Sequence, residues 1–418
     1  MVGSKLREIA TSILLFSLPL HGQPIPDGAL RNHWDQIDDV VREEIAQGSI
    51  PGAVVLVGHA DKVLYHKAFG HAVVEPYRKK MTKHTVFDLA SLTKPVATAP
   101  SVLILKSQGK LSLEDRVSTY LPAFACLGKG ETRIRQLLTH TSGLPAYMNA
   151  AEFETAWGPV CPEKLLEKIC GLQALSQPGE TFRYSCLGYI TAARIVEIVS
   201  GKSVAEFSQE FVFQRLAMEH TGFKPINALR EEIAATELAD HQLHLGRVHD
   251  PLAQRMGGIS GNAGLFSTAG DLSLFCRMLL NDGAWKGKRI LNSEDVTLLT
   301  VQQSHGRACG FDVGSSYAWV KGAFGGESAF CHTGYTGTSL VCDPISKRFL
   351  IILTNRAHPH DGGTCKPLRK RIAEIVFQPQ ESAGRMTETS FGIGPVGQGH
   401  EWQGEGKQGL VAIELAFF

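Results

Sequence analysis

Apolar, β-rich runs lie towards both ends of this chain, and a long stretch of different pattern separates them. "GAVVLVGHADKVLYHKAFG", Gly52 to Gly70, holds two such runs around a short polar turn, which predicts a hairpin. Towards the other end, "SAFCHTG", "TSLVCDP" and "RFLIILTN" are three strand candidates in quick succession. From Ser91 to about Leu280 the pattern is mainly helical, broken by turns such as "HTSGLP" and "QPGE". Strands from both ends with helices between them predict an α+β fold in layers. One antiparallel β-sheet would be built from both chain ends, and a mostly helical region would be inserted into it. Helices would flank the sheet. Asn32 to Gly48 carries Trp34, Ile37, Val41 and Ile45 on one stripe, with Asn32 able to cap its start and Gly48 to end it. Cys365 to Phe377 carries Ile372, Ile375 and Val376 on its apolar side.

The expected domain spans residues 30–378. Ahead of it, Lys5 and Arg7 precede the apolar run "IATSILLFSLPL" and the small residue Gly22. That order of charge, apolar run and small residue predicts a signal peptide over residues 1–22 and an exported protein, periplasmic or secreted. The alternative is an N-terminal helix. The run is too short for a stable membrane span. Residues 381–418 turn glycine-rich and poor in apolar side chains, which predicts a flexible tail. The formal net charge of +1 gives no reason to expect nucleic acid as a partner. Nine cysteines occur with no C-x-x-C pair, so the spacing of a cysteine metal site is absent. They read mostly as small buried hydrophobes, with one or two disulfides left open.

Chemistry enters at "LASLTKPVAT", where Ser91 and Lys94 stand three apart at the head of an apolar segment. In a helix that spacing puts both on one face. A serine hydroxyl is a poor nucleophile until a base takes its proton. Lysine can be that base if burial or a nearby cation lowers its pKa. The bland alternative is a capping serine and a lysine reaching to solvent. A second S-x-x-K, Ser107 to Lys110, falls where Gly109 should end the helix, and no role is assigned to it. Pro100 should kink that helix, while Pro95 is close enough to its first turn to be tolerated. Two distant segments add to the case. "PGETFRYSCLGY" places Tyr184 ahead of the apolar helix "ITAARIVEIVSG", and "FCHTGYTG" places His332, Thr333 and Gly334 at the end of a strand. Glycine there would let a substrate lie close to the backbone.

With these motifs in order, the chain resembles the serine β-lactamases of class C and the related penicillin-binding proteins, D-amino-peptidases and esterases. Ser91-Leu92-Thr93-Lys94 looks like that family's S-x-x-K, Tyr184-Ser185-Cys186 its Y-x-N or Y-x-D, and His332-Thr333-Gly334 its K-T-G or H-T-G. "GKLSLEDRVSTYLPAF", "IRQLLTHTSGLP" and "GGISGNAGLFSTAGDLSLF" are similar to family phrases in the same order. The resemblance covers about Asn32 to Phe377 and implies an acyl-enzyme mechanism without a cofactor. Ser91 would attack a carbonyl with Lys94 as base. Tyr184 would pass the proton to the leaving group. The backbone N–H groups of Ser91 and Tyr335 would form the oxyanion hole. His332, Thr333, Gly334 and Cys186 would line the pocket for a small-molecule ester, amide or β-lactam.

Two departures shape the expected substrate. Cys186 replaces an amide or carboxylate with a weakly bonding thiol. His332 replaces a lysine with an imidazole that is largely neutral at pH 7 and holds a carboxylate less firmly. Both favour esters or small amides over β-lactams and D-amino-acid peptides. The rival function is a non-catalytic penicillin-binding or peptidoglycan-sensing protein. His241, His244, His249 and Asp250 lie close in "HQLHLGRVHD", but without an H-E-x-x-H setting they read as pocket wall and not as a metal site. His140 reads as a turn residue.

Overall fold

The central strands are apolar on both faces, and the layering follows from that. A computed structural model describes residues 33–225, 231–239 and 242–379. Helix α1 (Asp35–Ala46) leads into β1 (Gly52–His59), β2 (Val63–Val73) and β3 (Lys79–Lys80). The insert contains, among shorter helices, α2 (Ala99–Ser107), α3 (Cys186–Ser200) and α4 (Ala269–Leu280). Strands β4 (Phe330–Thr333), β5 (Ser339–Asp343) and β6 (Arg348–Thr354) follow, then helix α5 (Lys366–Phe377). The six strands form one sheet in the order β4-β5-β6-β1-β2-β3, with each neighbouring pair antiparallel. The seam between the two ends of the chain is β1 against β6, where Val55 faces Ile352.

Alternation along the strands sends side chains to opposite layers. Val54 and Leu56 of β1, with Phe349, Ile351 and Leu353 of β6, pack into the larger core under the insert, against residues such as Leu103, Ile190 and Phe275. Ala53, Val55 and Val57, with Leu350 and Ile352, pack into a second core closed by Ile37 and Val41 of α1 and Leu368, Ile372 and Val376 of α5. Both faces are covered, so these strands are continuous apolar runs and not alternating ones. At the hairpin, Gly58 is required by packing: a Cβ there would meet the Phe349 ring at 2.2 Å.

The insert differs from expectation in two places that matter for the site. First, it holds a three-stranded sheet of Phe87–Asp88, Leu265–Ser267 and Gly222–Phe223. Strands of two or three residues leave no periodic trace in a sequence. Second, no regular helix starts at Ser91. Ala90–Leu92 is a single 3₁₀ turn, Lys94–Thr98 is a π turn in which the Ala99 N–H reaches back to the Lys94 carbonyl, and α2 begins only at Ala99. Pro100 follows directly on the π turn, inside a helical run continuous from Thr93, so the distortion expected at this proline takes the form of that π turn. No described helix is long and apolar enough to cross a membrane. The segments read as signal peptide (1–22) and tail (381–418) lie outside the described residues.

Candidate active site

Ser91 is positioned by the small sheet. The Leu89 N–H donates to the Leu265 carbonyl at 2.9 Å, and the Leu265 N–H donates to Thr93 Oγ1 at 3.1 Å. Between them the chain makes a sharp reversal. Ala90 has φ +47°, a left-handed conformation that a residue with a Cβ rarely adopts. Asp88 holds it there: its Oδ1 accepts the Ala90 N–H at 2.8 Å, and its Oδ2 accepts the His249 N–H at 2.7 Å. Burial raises the Asp88 pKa, against the pull of those two N–H groups. Ser91 emerges from this turn 6% exposed.

Lys94 lies behind the serine, fully buried. Its Nζ donates to Ser91 Oγ at 3.1 Å, to the Asn262 carbonyl at 3.0 Å and to Cys186 Sγ at 3.6 Å. The Tyr184 side chain also hydrogen-bonds to the amine. Burial opposes the charge, but Cys186 and Tyr184 favour it more, and the pKa lies above the ordinary lysine value. This reverses the direction expected from the sequence, because the sequence does not show which anion-forming groups face the amine. Cys186 itself is pushed up by burial, with Lys94 pulling the other way, so it stays a thiol. The Asn262 side chain is fully buried beside it; Oδ1 accepts from Ser260 Oγ at 2.7 Å, and the side chain also bonds Cys186, which favours the thiolate.

Tyr184 precedes α3, whose first residue is Cys186, so one helix start places phenol and thiol together. The Lys94 ammonium sits 5.0 Å from the centroid of the Tyr184 ring. His140 stacks on the Tyr184 ring, with centroids 4.3 Å apart. It does lie in a turn, with φ +58°, but its role there is larger: Nδ1 accepts the Ser185 N–H at 3.0 Å, which fixes the start of α3. Burial, Arg307 and Lys94 hold His140 well below its usual pKa, and it is neutral.

His332 lies on β4, 6.1 Å from Tyr184 ring to ring. Its Nδ1 donates to the Thr333 carbonyl at 2.9 Å, so Nε2 carries the lone pair. Burial, then Arg307 and Lys94, keep it neutral. A narrow cleft is lined by Tyr184, Arg307, Asp312, Tyr317, His332 and Thr333. A larger one of about 720 Å³, lined by Lys224, Arg247, Val248 and Phe266 among others, holds none of the sequence-chosen residues. Arg307, Asp312 and Tyr317 were not found from sequence. Their segment, "GRACGFDVGSSY", carries no periodicity or motif that marks it.

Gly334 differs from its expected purpose. A Cβ there would lie 2.1 Å from Thr338 Oγ1 and 2.4 Å from the Leu89 carbonyl oxygen. The glycine lets the end of β4 meet the Ser91 turn, and the crowding comes from the protein itself. Thr338 Oγ1 donates to that same Leu89 carbonyl at 2.9 Å, and Thr336 Oγ1 to the Asp88 carbonyl at 2.7 Å. Next to it, Tyr335 is pinned: its carbonyl accepts from Arg356 Nε at 2.7 Å, and its ring packs between Arg356 and His249. His249 faces Glu237 at 3.2 Å, Asp250 caps the helix Pro251–Arg255, and His241 lies outside the described residues. Among the described residues no group of three or more metal-ligating side chains is placed to hold an ion.

Residues 37–374 match the family described as Beta-lactamase. A protein of Escherichia coli (strain K12) named "Putative D-alanyl-D-alanine carboxypeptidase" is 30% identical over 394 residues, covering 86% of this chain and 91% of that protein. The N-acetylmuramyl-L-alanine amidase of Bacillus subtilis (strain 168) is 31% identical over 365 residues, covering 77% and 81%. Among solved structures, a penicillin-binding protein homolog from Caulobacter crescentus superposes with a TM-score of 0.66 at 18% identity, covering 83% of this chain and 97% of that one.

Proposed function

The chain belongs to the beta-lactamase family of serine hydrolases, and we propose that it cleaves esters or small amides through an acyl-enzyme on Ser91. One observation carries this reading: Ser91 Oγ lies 3.1 Å from the Lys94 ammonium, which in turn lies against the Tyr184 ring. Lys94 and the Tyr184 side chain that bonds it together form the proton acceptor for Ser91. Ser91 gives its proton to the pair as Oγ bonds to the substrate carbonyl carbon. Tyr184 then delivers a proton to the leaving group. The backbone N–H groups of Ser91 and Tyr335 receive the oxyanion. Water enters by the reverse proton path and frees the acid. The two curated relatives are named for amide cleavage, which supports including small amides in the range.

The thiol at Cys186 favours the rival reading, a protein acylated once and not released, because a thiol orders substrate and water poorly. Ser91→Ala separates the possibilities. It should abolish multiple turnover of a p-nitrophenyl ester and leave the urea midpoint nearly unchanged. Wild-type turnover in that variant would refute the role of Ser91. A single covalent adduct on the wild-type serine, with no second turnover, would favour the sensor.

A further inference from the structure

Arg369 is a buried cation that gives its hydrogen bonds to two backbone carbonyls. It stands on α5, beside the residues of that helix that close the second core, and is 6% exposed. Its Nη2 donates to the Gly334 carbonyl at 2.9 Å and to the Thr338 carbonyl at 2.8 Å. Burial lowers its pKa, and the nearby Arg356 charge pushes the same way, but a guanidinium keeps its proton. Among the described residues no carboxylate pairs with it, and its buried Nε has no hydrogen-bond partner.

The two carbonyls close the turn between β4 and β5. The Gly334 N–H donates to the Thr338 carbonyl at 2.7 Å, and the Gly337 N–H donates to the Gly334 carbonyl at 3.1 Å. The Gly334 carbonyl shares its peptide with the Tyr335 N–H. That peptide is trans, so carbonyl and N–H point in opposite directions, and a group that fixes one aims the other. In the function proposed above, the Tyr335 N–H receives the oxyanion. A carbonyl that accepts from a cation polarises its own amide, which makes the N–H a stronger donor. The next carbonyl, that of Tyr335, accepts from Arg356, whose guanidinium is paired with Asp361 at 2.9 Å. Arg369 is therefore the one of the two whose charge is not offset. A neutral donor would close the turn as well, and burying an unpaired cation is costly. Negative charge developing beyond the Tyr335 N–H would be stabilised by that cation.

We propose that Arg369 is a positioning residue of the oxyanion hole, which holds and polarises the Gly334–Tyr335 peptide from its carbonyl side. The idea rests on the acyl-enzyme reading.

The test observes the acyl carbonyl itself. The p-nitrophenyl ester of p-dimethylaminobenzoic acid, with and without a heavy-carbon label at the carbonyl, acylates Ser91. The Oγ–carbon bond forms, the bond to p-nitrophenolate breaks, and the serine proton leaves through Lys94 and Tyr184. The electron-rich ring slows deacylation, and the isotope difference in the infrared spectrum isolates the ester carbonyl. In the wild type that band should fall below its wavenumber in the same adduct unfolded in urea. Arg369→Gln should undo most of that shift. It should also slow the nitrophenolate burst by about tenfold or more, towards the roughly 10²–10³-fold cost of losing an oxyanion donor outright. Arg369→Lys keeps the cation and should restore part of both. Only folded molecules acylate, so the band does not depend on the folded fraction, and a purely structural role would leave it in place. A band in Arg369→Gln equal to that of the wild type overturns the proposal alone. An unshifted wild-type band removes the Tyr335 N–H from the oxyanion hole, and the proposal with it, but leaves Ser91 as nucleophile. No adduct on Ser91 overturns the acyl-enzyme reading and the proposal together. If neither variant folds, Arg369 is a determinant of the fold and the proposal falls.

Discussion

Cys186 Sγ is 3.6 Å from Lys94 Nζ and is buried with the Asn262 side chain bonded to it. An asparagine at 186 would give Lys94 a carbonyl oxygen in place of sulfur and turn a second amide N–H towards the substrate. Hydrogen bonds to charged groups are worth about 1.5–3 kcal/mol, against a cost of about 1–3 kcal/mol for added bulk in a packed site. Cys186→Asn should therefore raise hydrolysis of a chromogenic cephalosporin by roughly tenfold while lowering the urea midpoint. An unchanged rate would show that position 186 does not limit β-lactam turnover. At this scale the sequence was informative where a side chain is reactive in type and sits in an ordered motif: Ser91, Lys94, Tyr184, Cys186 and His332 do come together. It was silent on Asn262, Arg307 and Asp88, whose importance lies in what they face. The direction of the Lys94 pKa differs from expectation for the same reason: burial is legible in the sequence, and the distant side chains that face the amine, Cys186 and Tyr184, are not.

β4 and the turn before Ser91 are two elements that touch through one glycine. The Leu89 carbonyl that a Cβ on Gly334 would strike at 2.4 Å is backbone, and it is already held by Thr338 Oγ1. It cannot rotate away, so Gly334→Ala has to part the strand end from the turn. We expect a stability loss of about 1–3 kcal/mol, as for overpacking elsewhere. Ester turnover should fall by about 10²-fold, since a shift of about 1 Å at the reacting atoms has that effect. Denaturant melts and steady-state rates on one preparation check both, and a variant with native turnover would remove the close approach from the account. The long elements were legible because their patterns are long: β1 and β6 are apolar runs, β2 is a long β-rich one, and α3 is ended by Gly201 at φ +72°. The two-residue strand Phe87–Asp88 and the π turn Lys94–Thr98 have no such pattern. Their geometry is set by partners far along the chain.

Over the whole molecule, the two ends of the chain are held together by more than the β1–β6 seam. His358 follows β6, is 2% exposed, and accepts the Val74 N–H on Nε2 at 3.0 Å, joining segments 284 residues apart. Burial, helped by the neighbouring His360, lowers its pKa from 6.5 to about 4. A histidine depressed in the folded state binds fewer protons there than when unfolded. Its contribution is complete above pH 6.5 and is lost as pH falls towards 4. Asp88, Asp271 and Asp295 have raised pKa values and act in the opposite sense, so the net slope of the wild type alone would not isolate His358. The comparison with His358→Gln does, because the carboxylates are common to both proteins and cancel. The stability advantage of the wild type over the variant should shrink by about 2 kcal/mol between pH 7 and pH 5, read from urea unfolding at each pH. A constant advantage across that range would mean that the imidazole takes up its proton without giving up the Val74 N–H, and that the join between the chain ends is insensitive to acid.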